Sequence, residues 1–342
     1  MWFAEWMLGI AAALPLAGCL YQQLGDWRDR RHHVNNGRFV TLGDGRSLYF
    51  IERGSGSPTV LFEAGIGATS LNWLGIQLAV ASLTRTISYD RAGLGWSSPS
   101  RTARTPGNVA AELHEMLQRA RIDPPYVLVG HSFGGLVMRR YALLYPKDVA
   151  GVVLVDPMRC EEWPPFTPDR QTQLTLARRL LGYAAPIALC GIARLALTSL
   201  LCGSGKLCRR LASTAGENCR HVLERIEIEV DKMPREVRPV VVAHWSRPRF
   251  YAAMRDYLAA IPDSVREVRE AEPILETPVM VLTPGKSTPL SEQDLGRIGN
   301  RVQQAIAPAS EHWIHLDEPD MVIGSIRSMV TACAPERAAT AK

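Results

Sequence analysis

The chain has no stripe of basic residues threaded with aromatics, and that absence sets nucleic acid aside as a partner. Its net charge is only +5, and its basic side chains are scattered. The exceptions are Arg28-Asp29-Arg30-Arg31-His32-His33 and a thin scatter between 178 and 225. There is no C-x-x-C pair among the seven cysteines, so no metal-site pattern forms. Cys190, Cys202, Cys208 and Cys219 fall in one region, but sequence alone does not pair them. No internal repeat is visible, and nothing calls for a cofactor or a metal. What remains is an ordinary globular composition over 342 residues, enough for one large core or two modest ones.

The first apolar run lacks the Lys or Arg with which a cleavable signal peptide normally begins. Residues 1–21 carry one charged side chain, Glu5, among Trp2, Phe3, Trp6 and Leu8. That approaches the ~20 apolar residues needed to cross a bilayer. Tyr21 and Trp27 suit an interface, and Arg28, Arg30 and Arg31 follow, which favours a cytoplasmic location for what comes after. Residues 1–24 therefore read first as an uncleaved membrane anchor. Leu16-Ala17-Gly18-Cys19 also resembles a bacterial lipoprotein processing site with Cys19 as the lipidated residue, so an exported lipoprotein is the alternative. A merely buried helix is the third reading, and residues 22–37 read as a polar linker.

Beyond residue 38 the hydrophobic pattern changes. Residues 39–42 and 47–51 are β-like and flank Gly43-Asp44-Gly45-Arg46, a hairpin signal. Short β-branched runs follow at 59–63, 85–89, 126–129, 152–155 and 279–282, with a further one near 302–307. Such runs suit strands buried on both faces of a mostly parallel sheet. Between them lie helical patterns. Val109, Leu113, Met116, Leu117 and Ala120 share one face at helical spacing. Alternation of this kind predicts a mostly parallel, doubly wound α/β sheet, with a core made of residues 38–156 and 278–334. From 157 to 277 the alternation stops, and a helical cap is expected over the sheet's rim. Its apolar stretches 184–189 and 195–201 fit either the cap's own core or a surface that meets lipid or an apolar substrate.

Gly130-His131-Ser132-Phe133-Gly134-Gly135 follows the apolar run Tyr126-Val127-Leu128-Val129 directly. Strand, sharp glycine-flanked turn, serine and helix together make a nucleophile elbow. Serine is a weak nucleophile at neutral pH and needs a base within hydrogen-bond reach. Ser310-Glu311-His312-Trp313-Ile314-His315-Leu316-Asp317-Glu318-Pro319 supplies two histidines late in the chain, which fits the order Ser, acid, His.

These segments, with Glu63-Ala64-Gly65-Ile66-Gly67 and Tyr89-Asp90-Arg91-Ala92-Gly93-Leu94-Gly95-Trp96-Ser97, resemble the α/β-hydrolase superfamily over roughly residues 38–332. The resemblance implies Ser132 as nucleophile, His312 as base and His315 as a packing neighbour. It implies an oxyanion hole of two backbone N–H groups, from Phe133 and Ile66. Asp90 and Arg91 would hold the turn beside the site, while His131 and His114 have no partner that the sequence reveals.

The acid does not follow the common pattern. The loop after the 279–282 strand, residues 283–288, carries no carboxylate. Asp156, one strand earlier, is the leading candidate. Glu292 and Asp294 stand as alternatives, and a Ser–His dyad is the third possibility. The reading that results is a serine hydrolase cleaving an ester or related acyl substrate, small or lipid-like, through an acyl-enzyme. Acyl transfer on the same triad and a non-catalytic, membrane-anchored binding protein are the competing readings.

Overall fold

The computed structural model describes residues 2–34, 37–160, 166–203, 205–215, 217–270 and 277–333. Its centre is an eight-stranded sheet: β1 (Arg38–Thr41), β2 (Ser47–Arg53), β3 (Thr59–Glu63), β4 (Thr86–Asp90), β5 (Tyr126–His131), β6 (Val149–Val155), β7 (Val279–Pro284) and β8 (Val302–Ala307). The order is β1-β2-β4-β3-β5-β6-β7-β8. The β1–β2 and β2–β4 pairs are antiparallel, and every later pair is parallel. This is the mostly parallel, doubly wound sheet that the β-branched runs predicted.

Strand alternation divides the core into two layers. Along β5, Tyr126 and Leu128 face one layer while Val127 and Val129 face the other. In β6, Val152 and Leu154 alternate in the same way with Val153 and Val155. Because helices cover both faces, these strands are apolar at every position rather than at every second one.

The helices of the first half are α1 (Trp2–His33), α2 (Leu74–Val80), α3 (Pro106–Ala120) and α4 (Phe133–Leu144). Of the apolar stripe read in 109–120, Val109, Leu113, Met116 and Leu117 are in the core as expected, and Ala120 at its end is partly buried. The polar linker expected over 22–37 is a correction: α1 continues unbroken to His33. Its polar residues are structural, since Gln22 and Asp29 are buried against a side chain far along the chain. The anchor expectation falls partly on residues 1–12, whose side chains lie outside those described. Among the described residues no single helix is long and apolar enough to cross a membrane.

Between β6 and β7 the chain leaves the sheet for α5 (Pro168–Leu189), α6 (Ile192–Leu197), α7 (Lys206–Ala215), α8 (Glu217–Asp231), α9 (Arg238–Trp245) and α10 (Pro248–Arg269). Leu197, Leu200, Leu201, Val230, Met233 and Val241 form a small core of their own here. The insertion joins the main body through α10, whose Tyr257, Ile261, Val265 and Val268 enter the larger core. Among the described cysteines all are free thiols; the side chain of Cys219 lies outside the described residues. The last described helices are α11 (Glu292–Ile298), α12 (Ile314–Asp317) and α13 (Pro319–Cys333).

Candidate active site

The elbow is built by what its glycines allow. Ser132 joins β5 to α4 with φ 53° and ψ −120°, a left-handed conformation that a side chain adopts only under constraint. A Cβ on Gly130 would stand 2.5 Å from the Gly134 carbonyl oxygen, and one on Gly134 would stand 2.5 Å from that of Glu63. The strand, the turn and the end of β3 can therefore approach only without side chains. Ser132 N–H donates to the Val155 carbonyl at 3.2 Å, and the Ser132 carbonyl accepts from Gly135 N–H at 2.9 Å. Phe133 opens α4, so its N–H is among the first-turn donors that have no partner within the helix.

Asp156 sits one residue past β6 with φ 40°, aimed by the same kind of local constraint. Its Oδ2 accepts from His312 Nδ1 at 2.7 Å. Ser132, Asp156, His312 and Ile66 line one cavity of about 480 Å³, as do Ser287 and Thr288 from the loop after β7. Glu292 and Asp294 are placed elsewhere. Asp294 accepts from Ser291 Oγ at 2.6 Å at the start of α11, and Glu292 is exposed there. Neither is brought to His312.

His315 points away from the cavity into the core. Its ring lies 4.8 Å from Trp73 and 4.4 Å from His131, and burial pushes its pKa down to about 3. His131 is buried too and held well below the usual imidazole range by burial, then by the neighbouring rings of His315 and His312. Its Nε2 lies 2.8 Å from the His312 carbonyl oxygen, so Nε2 carries the proton and donates. The residue for which the sequence showed no partner thus ties the elbow to the backbone of His312. His114 stacks on Tyr145 at 3.7 Å, away from the site.

Asp90 is buried and accepts from Ser70 N–H at 3.0 Å, Ser70 Oγ at 2.8 Å and Trp96 N–H at 2.9 Å, which closes the 91–96 turn. Burial raises its pKa. Arg91 lies over the Phe133 and Tyr257 rings and donates to the Gly65 carbonyl. Sequence reasoning missed Glu63, buried at the end of β3, 3.5 Å from Arg91 and hydrogen-bonded to the Tyr89 hydroxyl. Its one visible signal is a carboxylate closing an apolar strand, which demands a buried cation nearby. Through Arg91 and Glu63 the Ala64-Gly65-Ile66 loop is braced against the elbow. A Cβ on Gly65 would touch Ser132 Cβ at 3.4 Å.

The family model for the alpha/beta hydrolase fold matches residues 58–183. The chain has the α/β-hydrolase fold. It is 37% identical over 105 residues to the protein YqjL of Bacillus subtilis, covering 31% of this chain and 42% of that one. It is 31% identical over 97 residues to an AB hydrolase superfamily protein of Gibberella zeae, covering 28% and 30%. The match thus spans less than half the length of these curated relatives. Among solved structures, a thermophilic esterase from Thermogutta terrifontis superposes with a TM-score of 0.60 at 19% identity, over 87% of this chain and 99% of that one. The Cif epoxide hydrolase from Acinetobacter nosocomialis superposes with a TM-score of 0.64 at 16% identity, over 91% and 96%. At these identities the likeness is one of fold.

Proposed function

We propose that this α/β hydrolase is a serine hydrolase acting on a small or lipid-like carboxylic ester or related acyl compound. Ser132 Oγ attacks the acyl carbonyl while His312 Nε2 takes its proton. The tetrahedral oxyanion is held by the Ile66 and Phe133 N–H groups. His312 returns the proton to the leaving alcohol, and water then repeats the sequence on the acyl-enzyme. Asp156 fixes the imidazole tautomer and supports the imidazolium that forms. The observation that carries the reading is the 2.7 Å His312–Asp156 contact on the wall of the cavity that Ser132 also lines. A serine at the elbow, where epoxide hydrolases of this fold use an aspartate, favours acyl chemistry over epoxide opening. The insertion 157–277 acts as the cap that shapes the cavity, and the apolar start of α1 anchors the protein to a membrane.

The deciding experiment is labelling of the full chain with a fluorophosphonate probe. Labelling at Ser132, lost in Ser132→Ala together with p-nitrophenyl ester turnover by roughly 10⁴-fold or more, is expected. A folded Ser132→Ala protein that keeps its turnover would overturn the assignment.

A further inference from the structure

Helix α1 is seated on the insertion at a defined depth. A Cβ on Gly18 would stand 2.2 Å from the Cys190 carbonyl oxygen, and one on Gly191 would stand 2.7 Å from that of Gly18. The Cys19 and Cys190 thiols lie within hydrogen-bond reach of each other. Further along, Arg194 of α6 is buried and donates to Gln22 at 3.1 Å, Asp26 at 2.9 Å and Asp29 at 2.7 Å. Arg247 donates to Asp26 at 3.1 Å. A planar guanidinium held from three sides fixes both the rotation and the axial position of α1. The turn between α5 and α6 therefore lies beside residue 18, within the apolar run and ahead of Tyr21 and Trp27.

Away from that contact the surface is apolar. On α1, Leu16, Leu20, Leu24 and Trp27 repeat at helical spacing opposite the positions that meet the insertion, and all are exposed. On α5, Leu176, Leu180, Tyr183 and Ile187 form a second exposed stripe, with Tyr183 at 71%. Leu189, Ile192 and Leu195 continue it around the turn. Scattered exposed apolar residues are ordinary, but stripes of this length on two touching elements mark an interaction surface. By length and composition alone, the helix Pro168–Leu189 and the stretch Ile192–Cys202, bent by 89°, together match a broken membrane span. Exposed Arg28, Arg30 and Arg31 follow Trp27 on α1, and exposed Arg179 borders the α5 stripe. Apolar, then aromatic, then basic is the order in which a chain meets acyl tails, the interface and anionic headgroups.

We propose that α1 and the α5–α6 turn form one lipid-seated surface, with the insertion resting in the acyl region of an anionic phospholipid leaflet. The proposal rests on the anchoring of α1 and is independent of the chemistry assigned to Ser132. If α1 enters the bilayer as far as Gly18, the α5–α6 turn is carried in beside it, and its exposed leucines and isoleucines leave water.

The test reconstitutes the full-length chain in vesicles of phosphatidylethanolamine and phosphatidylglycerol doped with a diazirine-tailed phosphatidylcholine. Irradiation, trypsin and mass spectrometry then locate the lipid adducts. Trypsin releases peptides 1–28 and 180–194, which report separately on α1 and on the turn. Adducts on both are expected. The double substitution Leu180→Glu, Tyr183→Glu should lower labelling of 180–194 by roughly tenfold or more while leaving 1–28 labelled and thermal unfolding unchanged. Adducts confined to 1–28 would overturn the lipid seat of the insertion while leaving the anchor standing. Adducts on neither peptide would overturn both, with fluorophosphonate labelling of Ser132 unaffected. Loss of 180–194 labelling in a chain that sediments as a dimer would assign the stripe to a second copy.

Discussion

Asp156 and Asp294 differ in what local backbone allows them to reach. Asp156 leaves β6 with φ 40° and meets His312 Nδ1 at 2.7 Å. Asp294 turns inward to its own helix start, where Ser291 Oγ occupies it at 2.6 Å. In the proposed mechanism His312 needs an imidazole held in one tautomer, and of these two carboxylates Asp156 is the one placed to hold it. Asp156→Asn should therefore lower ester turnover by roughly 10³–10⁴-fold with little change in KM. Asp294→Asn, measured beside it, should weaken only the side-chain contact with Ser291 and leave kcat within a few-fold. A large loss at Asp294 with a mild one at Asp156 would move the acid to the later strand. Glu63 shows how a residue outside the cavity bears on the same geometry. Its carboxylate, Arg91 and the Gly65 carbonyl form a buried line that braces the 64–66 loop.

At the scale of elements, the elbow works because β3, β5 and α4 crowd closer than side chains permit. Gly134 tests this. An added methyl would meet backbone oxygens of Glu63 and Ala64 at 2.5 and 2.7 Å, and backbone cannot step aside as a flexible side chain can. Gly134→Ala should destabilise the fold by about 1–3 kcal/mol and lower kcat by displacing the 64–66 loop. Denaturant unfolding and steady-state kinetics on the same sample check both effects, and a variant with wild-type stability and turnover would refute the crowding argument. The strands and the elbow were legible in the sequence because burial on both faces leaves unbroken β-branched runs and because the turn demands glycine at fixed offsets. The second half of α1 was not. Gln22, Asp26 and Asp29 look like a solvated linker until Arg194, 172 residues beyond Gln22, and Arg247, 221 beyond Asp26, arrive to pair with them. Asp156 stood between these cases. Its strand end was readable, but its pairing with His312 depends on a 156-residue closure that no local pattern records.

At the scale of the whole molecule, buried neutral histidines make folding sensitive to acid. His131 and His244 are held well below the usual imidazole range and His315 at about 3, in each case chiefly by burial. In the unfolded chain all three take up a proton near the ordinary value of about 6.5. Below that pH the unfolded state binds protons that the folded state refuses, so the stability these histidines lend is complete above about 6.5 and is lost as pH falls. Each histidine costs up to about 1.4 kcal/mol per pH unit on the way down. Glu63 and Asp90 act in the opposite sense, because burial raises their pKa and the folded state gains protons before the unfolded state does. His244 isolates the histidine contribution, since it lies in α9, edge-on to Trp96 at 4.9 Å, away from the Ser132 cavity. Among the described residues neither of its ring nitrogens finds a hydrogen-bond partner, and Arg247, Arg249 and His33 add their charges to the burial that keeps it neutral. Phenylalanine keeps the ring contact and removes the titration. His244→Phe should leave stability at pH 8 nearly unchanged and flatten the fall in unfolding free energy between pH 6.5 and about 5 by close to one proton's slope. Denaturant titrations across that range measure the slope directly, and an unchanged slope in the variant would show that His244 does not resist protonation in the folded chain.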